Sequence, residues 1–407
     1  MPSVNPEILR WARETAGLSL EEAAEKLSIP EARGVPGGER LSAYEEGRVE
    51  PTRPLLLKMV KQYRRPLLAF YMATIPREAA RVQDFRTLPP EHSRTEEALV
   101  DALIRDVRAR QEIARAILEE EDEAEHLAFV GSMTMAAGVD AVMQTIRETL
   151  HLSLEQYRAR NPRGGLSGFK YLRRQAEEAG IFVLLMGNLG SHNTNLDVET
   201  FRGFALSDPV APFIVINDQD NERARAFTLL HELCHIWLGQ TGVSGTSAAN
   251  AVEQFCNDVA ARFFLPAGEI ATLGHLRGAA FDTVRTAVDR FADERCVSHS
   301  MVAYNLYRER IIARDVWQQL SGFYRRQWKA AREADRENNR DGAGPSYYVV
   351  RRHRVGEALL NLARRMVAGQ ALSPSRAAKL LGVKPSNVYP MITPDARATS
   401  GLRLAQG

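Results

Sequence analysis

The stretch from Phe227 to Gly239 narrows most sharply what this chain can fold into. It holds no proline and no internal glycine, and its apolar residues surround two histidines four positions apart, His231 and His235. On a helix that spacing stacks the two imidazoles on one face, a turn apart. Two imidazoles so placed can hold one Zn²⁺ at about 2.0–2.1 Å each. Glu232, rotated around the helix from both, reaches a water held by the metal without being a ligand. A carboxylate there can take the proton of a water attacking a carbonyl, while the metal polarises the carbonyl oxygen. This is the HExxH arrangement, and because short motifs also arise by chance, its surroundings must decide.

The surroundings supply a second helix. Val252, Phe255, Val259 and Phe263 recur at helical spacing, and Pro266 closes the run. Glu253, eighteen residues beyond His235, lies on this helix with Asn257 four positions further on. Glu253 is the candidate third metal ligand, which leaves a fourth position open for water as a catalytic zinc site requires. Asn257 suits a hydrogen bond to one of the ligands.

Several motifs now stand in one order: Arg202-Gly203-Phe204-Ala205-Leu206, Pro212 to Asn217, Phe227 to Glu232, then Glu253 and Asn257. Together they resemble the ImmA/IrrE family of zinc metallopeptidases, over about Phe169 to Pro266. The resemblance implies a zincin-like core binding one Zn²⁺ per chain. It also implies a protein substrate, often a helix-turn-helix repressor whose cleavage releases stress, mobile-element or toxin–antitoxin genes. At Cys234 the family commonly has glycine; a small buried thiol is tolerable there. The N-terminus resembles the XRE-type helix-turn-helix domain that often precedes such a peptidase.

Length and composition set the frame. A chain of 407 residues predicts two to three domains. Apolar content of 44% and charged content of 26% are those of a globular protein. Lys and Arg exceed Asp and Glu by only 53 to 51, so any nucleic-acid binding must be local. The three cysteines, Cys234, Cys256 and Cys296, form no CxxC and fit a reducing cytosol. The first residues carry no signal-peptide pattern, and the most apolar run, Ile181 to Met186, is too short to span a bilayer. The expectation is a cytoplasmic protein without a membrane partner; the oligomeric state is open.

The fold expected is α+β and mostly α. Residues 1–75 read as a helix-turn-helix domain, with Ser19 and Glu22 forming a capping box and the 39–46 helix as the reading helix. That helix offers Arg40 and Ser42 for DNA contact beside Glu39, Glu45 and Glu46, so a docking or dimerisation module is an equal reading. Residues 76–165 read as a helical support. They carry a linker with Asp84-Phe85-Arg86, Pro89 and Pro90, then a helix over 96–128 whose acidic end, Glu119 to Glu125, forms a solvated face. Residues 166–270 read as the peptidase core, with strands at 181–186, 204–206 and 212–217. Phe213, Val215 and Asn217 mark the strand expected to pair with an extended substrate by β-augmentation. Residues 271–335 read as a helical extension with Ser298 capping a helix, and His299 and Tyr304 as distant candidates for the site. Residues 336–407 read as a helical end opening with a loop at Gly342 to Pro345; its basic group Arg351, Arg352, His353 and Arg354 leaves a nucleic-acid contact open. The function expected is a regulatory zinc endopeptidase. The competing readings are a DNA-binding regulator or antitoxin whose metal domain senses or docks, and a scaffold whose zinc only holds the fold. The last would need a fourth protein ligand, for which Cys256 is the candidate.

Overall fold

The architecture follows from which helices are wetted on one face and which are apolar all round. The computed structural model describes residues 3–76, 94–159, 167–190, 194–244, 251–266, 268–338 and 346–393. The expected linker around Asp84 to Pro90 and the loop at Gly342 to Pro345 lie outside the described residues. The chain divides into two units. The first holds the described residues up to Arg108 with Asn188–Phe201; the second holds Ala109–Gly187, Arg202–Ser244 and the described residues beyond Ala248.

The first unit contains α1 (Pro6–Glu14), α2 (Leu20–Leu27), α3 (Gly37–Glu45), α4 (Arg53–Tyr63) and the start of α5 (Arg94–Glu120). Ser19 and Glu22 close the capping box on α2 as the spacing predicts. Ile8, Leu9, Leu27, Leu41, Leu56 and Phe70 make its apolar core. A buried ion pair crosses that core, Arg13 Nε to Glu45 Oε1 at 2.7 Å and Arg13 Nη2 to Glu45 Oε2 at 2.9 Å. Arg13 Nη1 also donates to the Leu18 carbonyl at 2.8 Å, so the guanidinium is held on both sides. One acid of α3 is thus structural, and only the remaining polar groups can face a partner.

The second unit holds the rest of α5, then α6 (Val139–Thr149), α7 (Leu154–Arg158) and α8 (Gly168–Glu178). Helix α5 stops at Glu120, short of the expected 128, and Asp122 turns to φ +55°. Glutamates crowded at a helix C-terminus face its negative dipole end and do not extend it. The acidic end is a solvated face: Glu119 to Glu125 are all exposed, and along it Arg365 reaches Glu123 at 2.6 Å and Arg376 reaches Glu120 at 3.2 Å.

Strands β1 (Phe182–Leu185), β2 (Gly203–Leu206) and β3 (Phe213–Ile216) follow, and β4 (Gly242–Ser244) comes after α9 (Glu222–Trp237). The sheet order is β1-β3-β2-β4. β3 runs parallel to β1 and antiparallel to β2, and β4 runs antiparallel to β2. Residues in β1, β2 and β3 are all buried, as expected of strands covered on both faces. Helices α10 (Ala251–Phe264), α11 (Phe281–Glu294), α12 (His299–Arg308) and α13 (Arg314–Asn338) complete the body, with Ser298 capping α12.

The chain then returns to β1 through α14 (Tyr347–Val355), α15 (Glu357–Ala368), α16 (Pro374–Leu381) and α17 (Val388–Ile392). Arg173, on α8, bolts this end down. Its guanidinium donates to Glu177 Oε1 at 3.1 Å, to the His353 carbonyl at 2.6 Å and to the Val183 carbonyl of β1. The three arginines of the basic group are engaged internally. Arg351 donates to the Gly382 carbonyl and Arg352 to the carbonyls of Pro390, Met391 and Thr393, while Arg354 pairs with Asp218 at 2.6 Å. No helix among the described residues is long and apolar enough to cross a membrane.

Candidate metal centre

Helix α9 is the buried axis of the second unit. Asn221 caps its start, accepting from the Ala224 amide at 2.9 Å, and every residue from Thr228 to Trp237 is buried. A helix apolar all round must sit at the centre of its domain; the polar residues it carries there need partners.

Helix α10 brings those partners. His231 Nε2 and His235 Nε2 lie 3.2 Å apart. Glu253 spans both, with Oε2 at 3.2 Å from His231 Nε2 and Oε1 at 3.1 Å from His235 Nε2. Donor atoms held about 2.0–2.1 Å from a tetrahedral ion lie about 3.3 Å from one another, so this triangle fits a single small ion. Asn257 Oδ1 lies 3.0 Å from His231 Nδ1. An amide oxygen only accepts, so His231 carries its proton on Nδ1 and turns the Nε2 lone pair toward the other donors. The four groups are sealed: His231 is 4% exposed, Glu253 2%, Glu232 and His235 0%.

The electrostatics fit the same picture. Burial pushes the Glu253 carboxyl upward, but the two imidazoles outweigh it and bring it down to about 2, so it is a carboxylate. Burial alone would depress both imidazoles. It prevails at His235, whereas Glu253, Glu232 and Asn257 together raise His231.

Cys256 is the rival donor. Its Sγ lies within 4.8 Å of the nearest nitrogens of His231 and His235, a grouping that leaves out Glu253. The distances favour Glu253, whose oxygens are already at 3.1–3.2 Å. Burial, and then Cys234, also push the Cys256 thiol well up, which keeps it a neutral and poor ligand.

Glu232 lies on the sheet side of α9, under β2. A methyl group on Gly203 would stand 2.9 Å from Glu232 Oε1, 2.6 Å from Thr228 Cγ2 and 3.0 Å from the Val215 carbonyl oxygen. Glycine at 203 therefore makes the room in which that carboxylate lies. The sequence offered Gly203 only as part of a family motif.

Other expected residues fall elsewhere. Phe213 and Val215 belong to β3, which has β1 on one side and β2 on the other. Asn217, just beyond, is fully buried and gives its amide to the Arg202 carbonyl at 2.8 Å. The expected substrate strand is therefore an interior strand, whose backbone groups are taken on both edges. On α3, Arg40 donates to the Pro30 carbonyl at 2.5 Å and Ser42 to Glu46 at 2.8 Å, so both side chains are engaged within their own unit. His299 stacks on Tyr324 at 5.1 Å, and the Tyr304 hydroxyl donates to Gln254 at 3.5 Å. Neither joins the donor triangle.

Two histidines and a carboxylate converging on one point, with a second carboxylate next to them on a central helix beside a small sheet, define a metal-dependent peptidase domain. Residues 176–307 match the family model described as the IrrE N-terminal-like domain, Peptidase_M78. Over these residues the chain is similar to metallopeptidase domains of the ImmA/IrrE type. No curated protein and no solved structure matches the chain.

Proposed function

We propose that this chain is a cytoplasmic zinc endopeptidase that acts as a regulator by cutting a protein partner, with a helix-turn-helix repressor encoded beside it as the first candidate. The reading rests on one observation above all. The His231, His235 and Glu253 donors close to within 3.1–3.2 Å while Asn257 fixes which His231 nitrogen points inward.

His231 and His235 would hold the ion through Nε2, and Glu253 through a carboxylate oxygen. Bound zinc supplies a Lewis acid that polarises the scissile carbonyl and acidifies water. Glu232 accepts the proton of the attacking water and returns it to the leaving amine. The seal around the four groups keeps bulk water from competing and strengthens each electrostatic contact. The extended segment of the substrate pairs with β4, the sheet margin with no strand on its outer side among the described residues.

The test is incubation of the neighbouring gene's product with zinc and either wild type or Glu232→Gln, with cleavage mapped by mass. Wild type is expected to cut at a defined bond, and Glu232→Gln is expected to retain its zinc and leave the partner whole. Cutting by both at one rate removes Glu232 as the base. An intact partner held stably by both forms supports the docking regulator instead.

A further inference from the structure

The chain gathers its positive charge near one end. From Ser346 to Thr393 there are eight lysines and arginines and one acid, Glu357, a net +7 in a chain of net +2, so the remaining residues sum to −5. Residues 3–76, which hold the N-terminal helices, are nearly balanced, with eleven basic and ten acidic side chains. A local excess of this size in an otherwise acidic chain attracts a polyanion to that place.

The excess sits on a helix pair with a tight turn. Ser373 caps α16, accepting from the Arg376 amide at 3.3 Å, and the helix ends at Leu381. Gly382 takes φ +65° and Val383 N donates back to the Ala378 carbonyl at 2.9 Å, which turns the chain sharply. Only Gly382, Val383 and Lys384 then separate α16 from a 3₁₀ turn over Pro385–Asn387 that runs into α17. Helix pairs of the DNA-binding kind are joined by about three or four residues, often with a glycine. Val388, Met391 and Ile392 face inward, against the apolar side of α16 and α15. That leaves Ser386 and Tyr389 outward on the second element and Lys379 outward on the first, with Tyr389 58% exposed.

Four of the eight cations are matched by acids: Arg354 by Asp218, Arg364 by Glu357, Arg365 by Glu123 and Arg376 by Glu120. Arg351 donates to the Gly382 carbonyl, which takes up a hydrogen without cancelling the charge. Lys379 and Lys384 are exposed before and after the turn, with no carboxylate against them among the described residues. A lysine in the last turn of a helix is favoured by the helix dipole, which accounts for Lys379 but not for Lys384, beyond the helix end.

We propose that the pair from α16 to α17 binds duplex DNA. In such pairs the first helix crosses the backbone and the second lies in the major groove. Lys379 and Lys384 meet phosphates on either side of the turn, and Ser386 and Tyr389 present their hydroxyls to the groove. The inference does not depend on the metal centre, so its failure leaves the peptidase reading untouched.

The test follows the fluorescence anisotropy of a labelled random-sequence DNA duplex titrated with the full chain at several salt concentrations. Wild type is expected to bind, with affinity falling steeply as salt rises. The double variant Lys379→Ala, Lys384→Ala removes two exposed charges and touches no buried group. It is expected to bind about 10–100-fold more weakly at about 0.1 M salt, and to lower the log–log salt slope by about two. Its thermal melt by circular dichroism is expected to match wild type, so lost binding is not lost folding. The double variant Lys379→Arg, Lys384→Arg keeps both charges and is expected to keep the affinity. Wild type that leaves the duplex unbound at low salt overturns the proposal, as does an alanine variant that binds like wild type. Arginines no better than alanines also overturn it, because charge is then not the cause. Tighter binding of the single strand than of the duplex assigns the surface to unpaired bases and overturns the groove reading.

Discussion

At the scale of the residue, the site separates side chains that hold an ion from those that aim the holders. His231→Ala, His235→Ala and Glu253→Ala each remove a corner of the donor triangle. Each is expected to purify with far less than one zinc per chain by elemental analysis. Asn257→Ala leaves the triangle whole and frees one ring, so its zinc affinity is expected to fall about 10–100-fold without losing stoichiometry in excess metal. Most of this was legible in the sequence because it is local. Spacings of four on α9 and on α10 set His231 beside His235 and Glu253 beside Asn257.

At the scale of the element, the sheet and α9 fit together only because β2 has no side chain where it passes over Glu232. Gly203→Val is expected to destabilise the protein by about 1–3 kcal/mol in chemical denaturation, since its side chain must push into Thr228 and Glu232. Strand order was the part of the fold that sequence reasoning missed. Phe213 to Ile216 reads as a buried strand by its apolar run, but no local pattern says that β1 and β2 flank it. That pairing depends on contacts far apart in the chain. The N-terminal helices show the same limit. Arg40 and Ser42 look free in sequence, yet both are hydrogen-bonded within their unit. DNA binding by this unit is therefore expected to run through phosphates. Measured on the intact protein with its own promoter region, affinity should fall about 10³-fold or more between about 50 and 200 mM salt for six or more phosphate contacts. A shallow salt dependence would assign the unit to protein docking.

At the scale of the whole molecule, a sealed centre limits what can be cut. With Glu232 and His235 at 0% exposure, a chain reaches them only by presenting an extended segment to a fitted approach. Casein digestion monitored by released peptide is expected to be much slower than cleavage of the true partner. Rapid casein turnover would contradict a centre of this kind. The C-terminal helices belong to the same design: α14 and α15 cover the margin of β1, and Arg173 fastens them there.

That fastening has a consequence for how the protein is made. Leu185 ends β1, and Thr393 lies 208 residues later (393 − 185 = 208). At about 5–20 residues per second, a ribosome needs about 10–40 s to cover that distance. Throughout that interval β1 has left the ribosome without the helices that shield it, and a bare strand margin is an invitation to mispair. The nascent chain is thus most vulnerable in the middle of its own synthesis, and translation speed through residues 186–393 becomes part of how much active protein a cell obtains.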